Sequence, residues 1–248
     1  MGIDVDLSNE VALVTGGSRN IGLAIAQAFR SAGARVCIVA RADSKQLEAA
    51  LERLDPSGAD AMGALSDVAD ESAVVELYDR IANRFATPSV LVNGAATRPH
   101  EPFTELSLAS WSEVIGTVLT GAFLTSRELF RRLPDARRGA IINIGGLSAH
   151  RPRKDRAHVI AAKSGLIGLT RALAEEGLGR IRVNAVVPGL IDTARRPGQS
   201  NPDLGKRDQN LAIGTSEDVA RVVLAFSDPR HVYVTGQTVH VNGGRFMP

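Results

Sequence analysis

The sequence predicts a doubly wound α/β domain: a parallel sheet with helices packed on both faces. Three observations carry this. Short apolar runs recur along the chain: VALVT at 11–15, RVCIVA at 35–40, SVLVN at 89–93, GAIINI at 139–144 and IRVNAVV at 181–187. Each has the length and β-branched content of a strand buried on both faces, as parallel sheets require. Longer segments with apolar residues at helical spacing lie between them, the alternation expected of repeated βαβ units. A Gly-rich turn, TGGSRNIG at 15–22, joins the first run to the first helical segment.

The chain has 248 residues, 44% hydrophobic and 23% charged, which suits one globular domain spanning 1–248 with an ample core. A net charge of +2 and 4% aromatic content argue against a nucleic-acid partner, which would want a coherent basic face with stacking rings. Arginines instead cluster locally, at 127–138, 151–156 and 195–207. Basic segments of that kind fit an anionic small molecule or a solvated surface. The single cysteine, Cys37, sits inside an apolar run and reads as a buried, reduced thiol. The opening MGIDVDLSNE lacks the build of a signal peptide, and no apolar run approaches a membrane span, so a cytoplasmic protein is expected.

Taken in order, the first strand ends at Thr15, and Ile21, Ala24, Ile25, Ala28 and Phe29 mark the helix that follows. Ser31 to Gly33 ends that helix, and the second strand runs to Ala40. This βαβ unit gives the Gly-rich turn its meaning. Glycines let the backbone approach a pyrophosphate, and the helix start supplies free N–H groups and partial positive charge. Gly16, Ser18, Arg19, Asn20, Ile21 and Gly22 are therefore the expected phosphate-binding residues of a Rossmann dinucleotide fold. Asn20 lies within the turn, and asparagine tolerates the left-handed backbone better than other non-glycine residues; by the family resemblance given below it stands at the motif's middle glycine.

The end of the second strand selects the dinucleotide. A carboxylate there binds ribose hydroxyls, whereas a basic residue accommodates a 2′-phosphate. Arg41 stands at that point and Arg19 in the turn, favouring NADP(H) over NAD(H). Asp43, slightly further along, is the counter-evidence. A third strand ends near Ser66, followed by Asp67 and Val68. Asp67 reads as the N-cap of a helix over 70–85 or, by the family resemblance given below, as an adenine contact. Asn93 and Gly94 end the strand in SVLVNGAA and either line the cleft or hold the sheet together. A long amphipathic helix is expected over 111–130, apolar at Val114, Ile115, Val118, Leu119, Ala122 and Phe123.

The stretch 139–168 is the most informative. GAIINI reads as a buried strand, HRPRKDRAH as a basic loop, and the segment from Ala157 as a helix carrying Lys163. This arrangement resembles the active-site segment of the short-chain dehydrogenase/reductase family, in particular its 3-oxoacyl-(acyl-carrier-protein) reductase-like members. There a strand ends in a catalytic Ser, and a Tyr-x-x-x-Lys motif opens the next helix. Aligning on Lys163 puts Val159 at the Tyr position and Gly146 at the Ser position. Aligning on Trp111 and Leu119-Thr120-Gly121 puts Val118 where the family has a relay Asn. The resemblance covers nearly the whole chain and implies a nicotinamide-cofactor site built from the turn residues, Arg41, Asp67, Val68, Asn93, Gly94 and Lys163. IRVNAVVPGLIDT (181–193) adds Pro188, Gly189, Ile191 and Thr193, the last at the carboxamide position. It also implies a substrate lid around 192–213, a last strand within 234–244, and a homodimer or homotetramer; SEDVARVVLAF itself reads as a helix capped by Ser216.

The chemistry is where the resemblance breaks. Reducing a carbonyl needs a proton at oxygen, and in the family a Tyr with its pKa lowered by Lys delivers it. Valine and glycine do neither job. Lys163, His150 and Ser148 remain as candidate catalytic groups. His158 precedes the Tyr position and is expected to be structural or at the surface. Two function classes follow: an NADP(H)-dependent oxidoreductase with an atypical proton path, acting on a small carbonyl, alcohol or activated alkene with an anionic group; or a non-redox enzyme (lyase, hydrolase or isomerase) or non-catalytic cofactor-binding protein on the same scaffold.

Overall fold

A computed structural model describes residues 4–193 and 211–248. The strands β1 (Val11–Thr15), β2 (Arg35–Ala40), β3 (Ala61–Leu65), β4 (Val90–Asn93), β5 (Gly139–Ile144), β6 (Ile181–Pro188) and β7 (Thr238–Val241) pair in parallel in the order β3-β2-β1-β4-β5-β6-β7. The order reverses direction beside β1, so a crevice forms outside the carboxyl ends of β1 and β4, where ligands bind open α/β sheets. Every residue of β1 and β5 is buried, because helices cover both faces.

The helix α1 (Asn20–Ser31) and the last helix pack on one face around Phe29, Ile25 and Val223. On the other face Tyr78, Leu77 and Ile81 of α3 (Glu71–Arg84) pack with Leu129 and Ile141. A helix not expected from the sequence, α2 (Ser44–Leu54), follows β2; Asp43 caps it by accepting from Gln46 N at 2.9 Å. The capping residue of α3 is Asp70, which accepts from Ala73 N at 3.1 Å, so Asp67 is not the cap.

The expected helix over 111–130 runs longer, as α4 (Leu108–Ile115), a π-turn (Gly116–Thr120) and α5 (Gly121–Arg132). Leu108–Arg132 reaches the length and mean hydropathy, 1.2, of a membrane-spanning helix, which corrects the expectation that no segment does. One face of it packs into the fold: Val114, Val118 and Leu129 are buried, and buried Glu128 is salt-bridged to Arg132 at 2.9 Å. α6 (Ala157–Glu176) lies beside it and ends at Gly177. α7 (Ser216–Ser227) is capped by Thr215, not Ser216: Thr215 and Asp218 form a reciprocal capping box. Of the expected lid, residues 194–210 lie outside the described residues.

Candidate active site

The carboxyl ends of β1, β4, β5 and β6 deliver the expected site residues to one edge of the sheet. Gly16 has φ +69°, and a Cβ there would lie 3.0 Å from the Gly94 backbone. Gly94 N and Ala95 N donate to Thr15 Oγ1 at 3.0 and 3.2 Å, tying the turn to the end of β4. A Cβ on Gly22 would fall 2.2 Å from Gly16 O. Asn20 has φ +49°, the left-handed conformation that its place in the turn demands. Ile21 packs on the core and Ser18 donates to Gln46 Oε1 at 3.3 Å. The N-cap of α1 is Arg19, in extended conformation, with no side-chain capping bond and no acidic residue in the first turn. A helix start whose N-cap residue makes no side-chain capping bond, at the end of a tight glycine turn, is an arrangement suited to a phosphate. These residues fit a dinucleotide.

Arg41 stands at the end of β2 and pairs with Glu113 of α4 at 2.9 Å, both side chains about half exposed (50% and 47%). Such a surface pair is weak. Asp43 is occupied as the cap of α2. Asp67 is exposed and accepts from Ala69 N at 2.9 Å. Val68 is buried against Gly121, where a Cβ would meet Val68 Cγ2 at 2.6 Å. Pro188 ends β6; Gly189 N donates to Val241 O at 2.9 Å, and a Cβ on Gly189 would lie 2.6 Å from Asn242 Cα. Ile191 forms a bridge with Gly214, and Thr193 is half-buried at the edge of the described residues.

Asn93 points into the fold. Its Nδ2 donates to Asn143 Oδ1 at 2.9 Å, Thr125 Oγ1 donates to Asn93 Oδ1 at 2.7 Å, and Asn143 Nδ2 donates to Thr170 Oγ1 at 2.9 Å. This buried chain locks β4, β5, α5 and α6 together. Of the two readings of Asn93, its side chain serves the sheet-holding one.

Lys163, a candidate catalytic group, lies on α6 behind the end of β5. It is 4% exposed, and its Nζ donates to Ile144 O at 2.5 Å. Burial, and then the Arg98 guanidinium, bring its ammonium down from 10.5 to about 7. Arg98 was not singled out from the sequence. Its position in the loop after β4, at the carboxyl edge of the sheet, was the signal available. Beside Lys163 lies Gly146: a Cβ there would sit 3.6 Å from both Lys163 Cγ and Ser148 Oγ, with no close contact. Ser148 Oγ and the aliphatic stem of Lys163 therefore border the space that a side chain at 146 would occupy.

His150 turns another way. Its ring lies 4.5 Å from the His240 ring and 5.1 Å from Phe246, on the β7 side, and burial lowers its pKa. A lowered value leaves it neutral at pH 7, which suits a proton donor poorly. The basic loop is strapped to the loop after β4: Glu101 N donates to Asp155 O at 2.9 Å, and Arg156 contacts His100. Arg151 donates to Arg245 O at 3.0 Å.

Val159 and Val118 are 1% and 3% exposed and share one apolar cluster with Val114, Ala122, Ala162 and Leu166. His158, expected to be structural or at the surface, is fully buried, because α6 has packed neighbours on more than one side. Neither ring nitrogen has a hydrogen-bond partner among the described residues. An unpaired buried polar group costs free energy. His158→Leu is expected to raise the unfolding free energy by about 1 kcal/mol without changing nucleotide affinity, as read by urea unfolding and calorimetry. A fall in either argues that His158 serves the site.

Residues 16–245 match the family model described as enoyl-(acyl carrier protein) reductase. The chain is 33% identical over 248 residues to the 3-oxoacyl-(acyl-carrier-protein) reductase of Aquifex aeolicus, covering 98% of this chain and 100% of that one. It is 35% identical over 247 residues to the protein of the same name from Pseudomonas aeruginosa, covering 98% and 100%. Among solved structures, a short-chain dehydrogenase/reductase from Brucella melitensis, a glucose/ribitol dehydrogenase by its name, superposes with a TM-score of 0.91 at 27% identity, covering 99% and 100%. Another from Serratia marcescens gives a TM-score of 0.85 at 32% identity, covering 96% and 98%.

Proposed function

The chain belongs to the short-chain dehydrogenase/reductase family and is an oxidoreductase of that type; within it, we propose an NADP(H)-dependent enzyme in which Lys163 replaces the missing tyrosine as proton donor. Its substrate in this reading is a small activated alkene or carbonyl compound with an anionic group. The observation that carries the proposal is the burial of Lys163, whose stem borders the space beside Gly146 together with Ser148 Oγ. When bound, the cofactor supplies hydride chemistry at its nicotinamide. The chain's own residues do the rest. The start of α1 binds pyrophosphate, and Arg19 and Arg41 receive a 2′-phosphate. Lys163 Nζ holds the proton in a dry setting, and Ser148 Oγ orients the substrate oxygen.

Val118, Val159 and Gly146 stand at the family's Asn, Tyr and Ser positions, so its usual relay is not available here. An activated alkene tolerates this better than a plain ketone. Its reduction spreads the new negative charge over an enolate, which an ammonium group stabilises and then protonates. The matched model's description and the relatives' names both concern acyl groups on a carrier, so acyl thioesters are the first substrates to screen. Arg98, beside Lys163, and the basic loop favour an anionic group on the substrate.

Arg41→Ala is expected to weaken NADPH binding about tenfold while leaving NADH affinity unchanged, measured by calorimetric titration with each cofactor. Equal losses for both would sink the NADP(H) assignment. In the same reading the protein is a cytoplasmic homodimer or homotetramer, with Phe123 on α5 and Leu108 on α4 exposed for a second copy; sedimentation at micromolar concentration reads this directly. The hydrocarbon cluster around Val118 and Val159 favours one alternative, a non-redox enzyme or non-catalytic cofactor-binding protein. It takes the lead if NADPH binds but no acceptor consumes it.

A further inference from the structure

The opposite edge of the sheet holds a cavity of about 410 Å³, within the size range of small-ligand sites. Its floor is made by the starts of strands: Val90 of β4, Gly139 and Ala140 of β5, Ile181 of β6. The nucleotide cleft lies at the other ends of those strands. The six residues of β5, at about 3.3 Å each, separate the two by roughly 20 Å.

Two features of this cavity point to a ligand. Leu178, Val232 and Tyr233, three large apolar side chains that are 62%, 53% and 99% exposed, gather at its wall with Pro229 rather than being scattered over the surface. The charged lining residues are three arginines, Arg138, Arg180 and Arg182, against one glutamate, Glu10. Glu10 is already neutralised by Arg137 at 3.0 Å and bonded to Ser89. Arg180 pairs with Asp135 at 3.4 Å. Among the described residues Arg182 donates to the carbonyl oxygens of Phe226 and Asp228, at 2.9 and 3.0 Å, while the Asp228 carboxylate is held by Arg230. Arg138 is exposed and makes no hydrogen bond or ion pair among the described residues. The lining thus carries uncompensated positive charge beside an apolar wall.

We propose that this cavity binds an amphipathic monocarboxylate, such as a medium-chain fatty acid, with its tail against Leu178, Val232 and Tyr233 and its carboxylate on Arg138. A guanidinium matches a carboxylate in bidentate geometry, which a neutral headgroup does not reproduce. Because the cavity and the nucleotide cleft share no residue, the carboxylate binds equally well with the cleft filled or empty.

The test is a calorimetric titration of the full chain with sodium decanoate below its micelle concentration, with and without saturating NADPH. Saturable binding is expected in both, weakened about fivefold by Arg138→Ala and by Leu178→Glu, which sets a negative charge on the rim. Both positions are exposed, so circular dichroism should report wild-type folding for each variant. Absence of saturable binding would overturn the proposal. So would displacement of decanoate by NADPH, which puts the acid in the nucleotide cleft, or an unchanged affinity in both variants. None of these outcomes bears on the proton-donor role of Lys163.

Discussion

Replacing Lys163 by methionine is expected to lower kcat about a thousandfold, the contribution of a positioned general acid. Lys163→Arg fails equally, since a guanidinium keeps its charge but does not release its proton near neutrality. The methionine variant has a second signature, in stability. Burial holds the Lys163 ammonium near 7 in the folded chain, against an ordinary 10.5. Below pH 7 both states carry the proton, and the full cost of burying the charge is present. Between about 7 and 10.5 the unfolded chain binds a proton that the folded chain does not, so stability rises with pH by up to about 1.4 kcal/mol per unit. Lys163→Met removes that slope. Urea unfolding of wild type and variant at pH 6, 8 and 9.5 reads it. A variant with wild-type turnover, or with an unchanged pH slope, contradicts the account.

Gly22→Ala is expected to abolish nucleotide binding, a loss on the order of a hundredfold or more, together with a stability loss of about 1–3 kcal/mol. The new methyl group would meet Gly16 O at 2.2 Å, Gly16 C at 2.9 Å and Gly17 Cα at 3.0 Å. All three are backbone atoms of the turn, so relief comes only by opening the phosphate cradle. Gly168→Ala is the control. Gly168 lies in α6 with nothing within 4 Å of a Cβ, and the same methyl group there raises stability by about 1 kcal/mol. If Gly22→Ala binds NADPH as wild type does, the cradle is not where the nucleotide sits. Calorimetry with NADPH and urea unfolding decide both points.

What the sequence carried, it carried through local physics. β1, β2 and β5 fall on the expected runs because β-branched residues bounded by Gly or a turn leave no other register. Asn20 has the left-handed backbone that the spacing from Gly16 to Gly22 requires. The missed α2 had a readable start, since Asp43 caps a segment whose buried residues, Leu47, Ala50 and Leu54, keep helical spacing. Thr215 rather than Ser216 was legible too, because only Thr215 has an acidic residue three positions on.

Other features were not legible because tertiary packing decides them. The π-turn at Gly116–Thr120 is a slip in register within one long apolar helix, and a helical pattern does not report where an extra residue goes. The burial of His158 depends on α6 being packed on more than one side. The sequence treated Val118 and Val159 as separate departures from a family pattern. In the fold they belong to one apolar cluster, so both lie in a single dry patch.

The most direct test of the proposed proton path is NADPH oxidation by an activated acyl thioester, followed as a function of pH in wild type and Lys163→Met. NADPH consumption is expected to fall as pH rises through about 7, where Lys163 loses its proton, with no measurable rate in the variant. NADPH that binds but is consumed by no acceptor, or a rate independent of both pH and Lys163, would contradict that path.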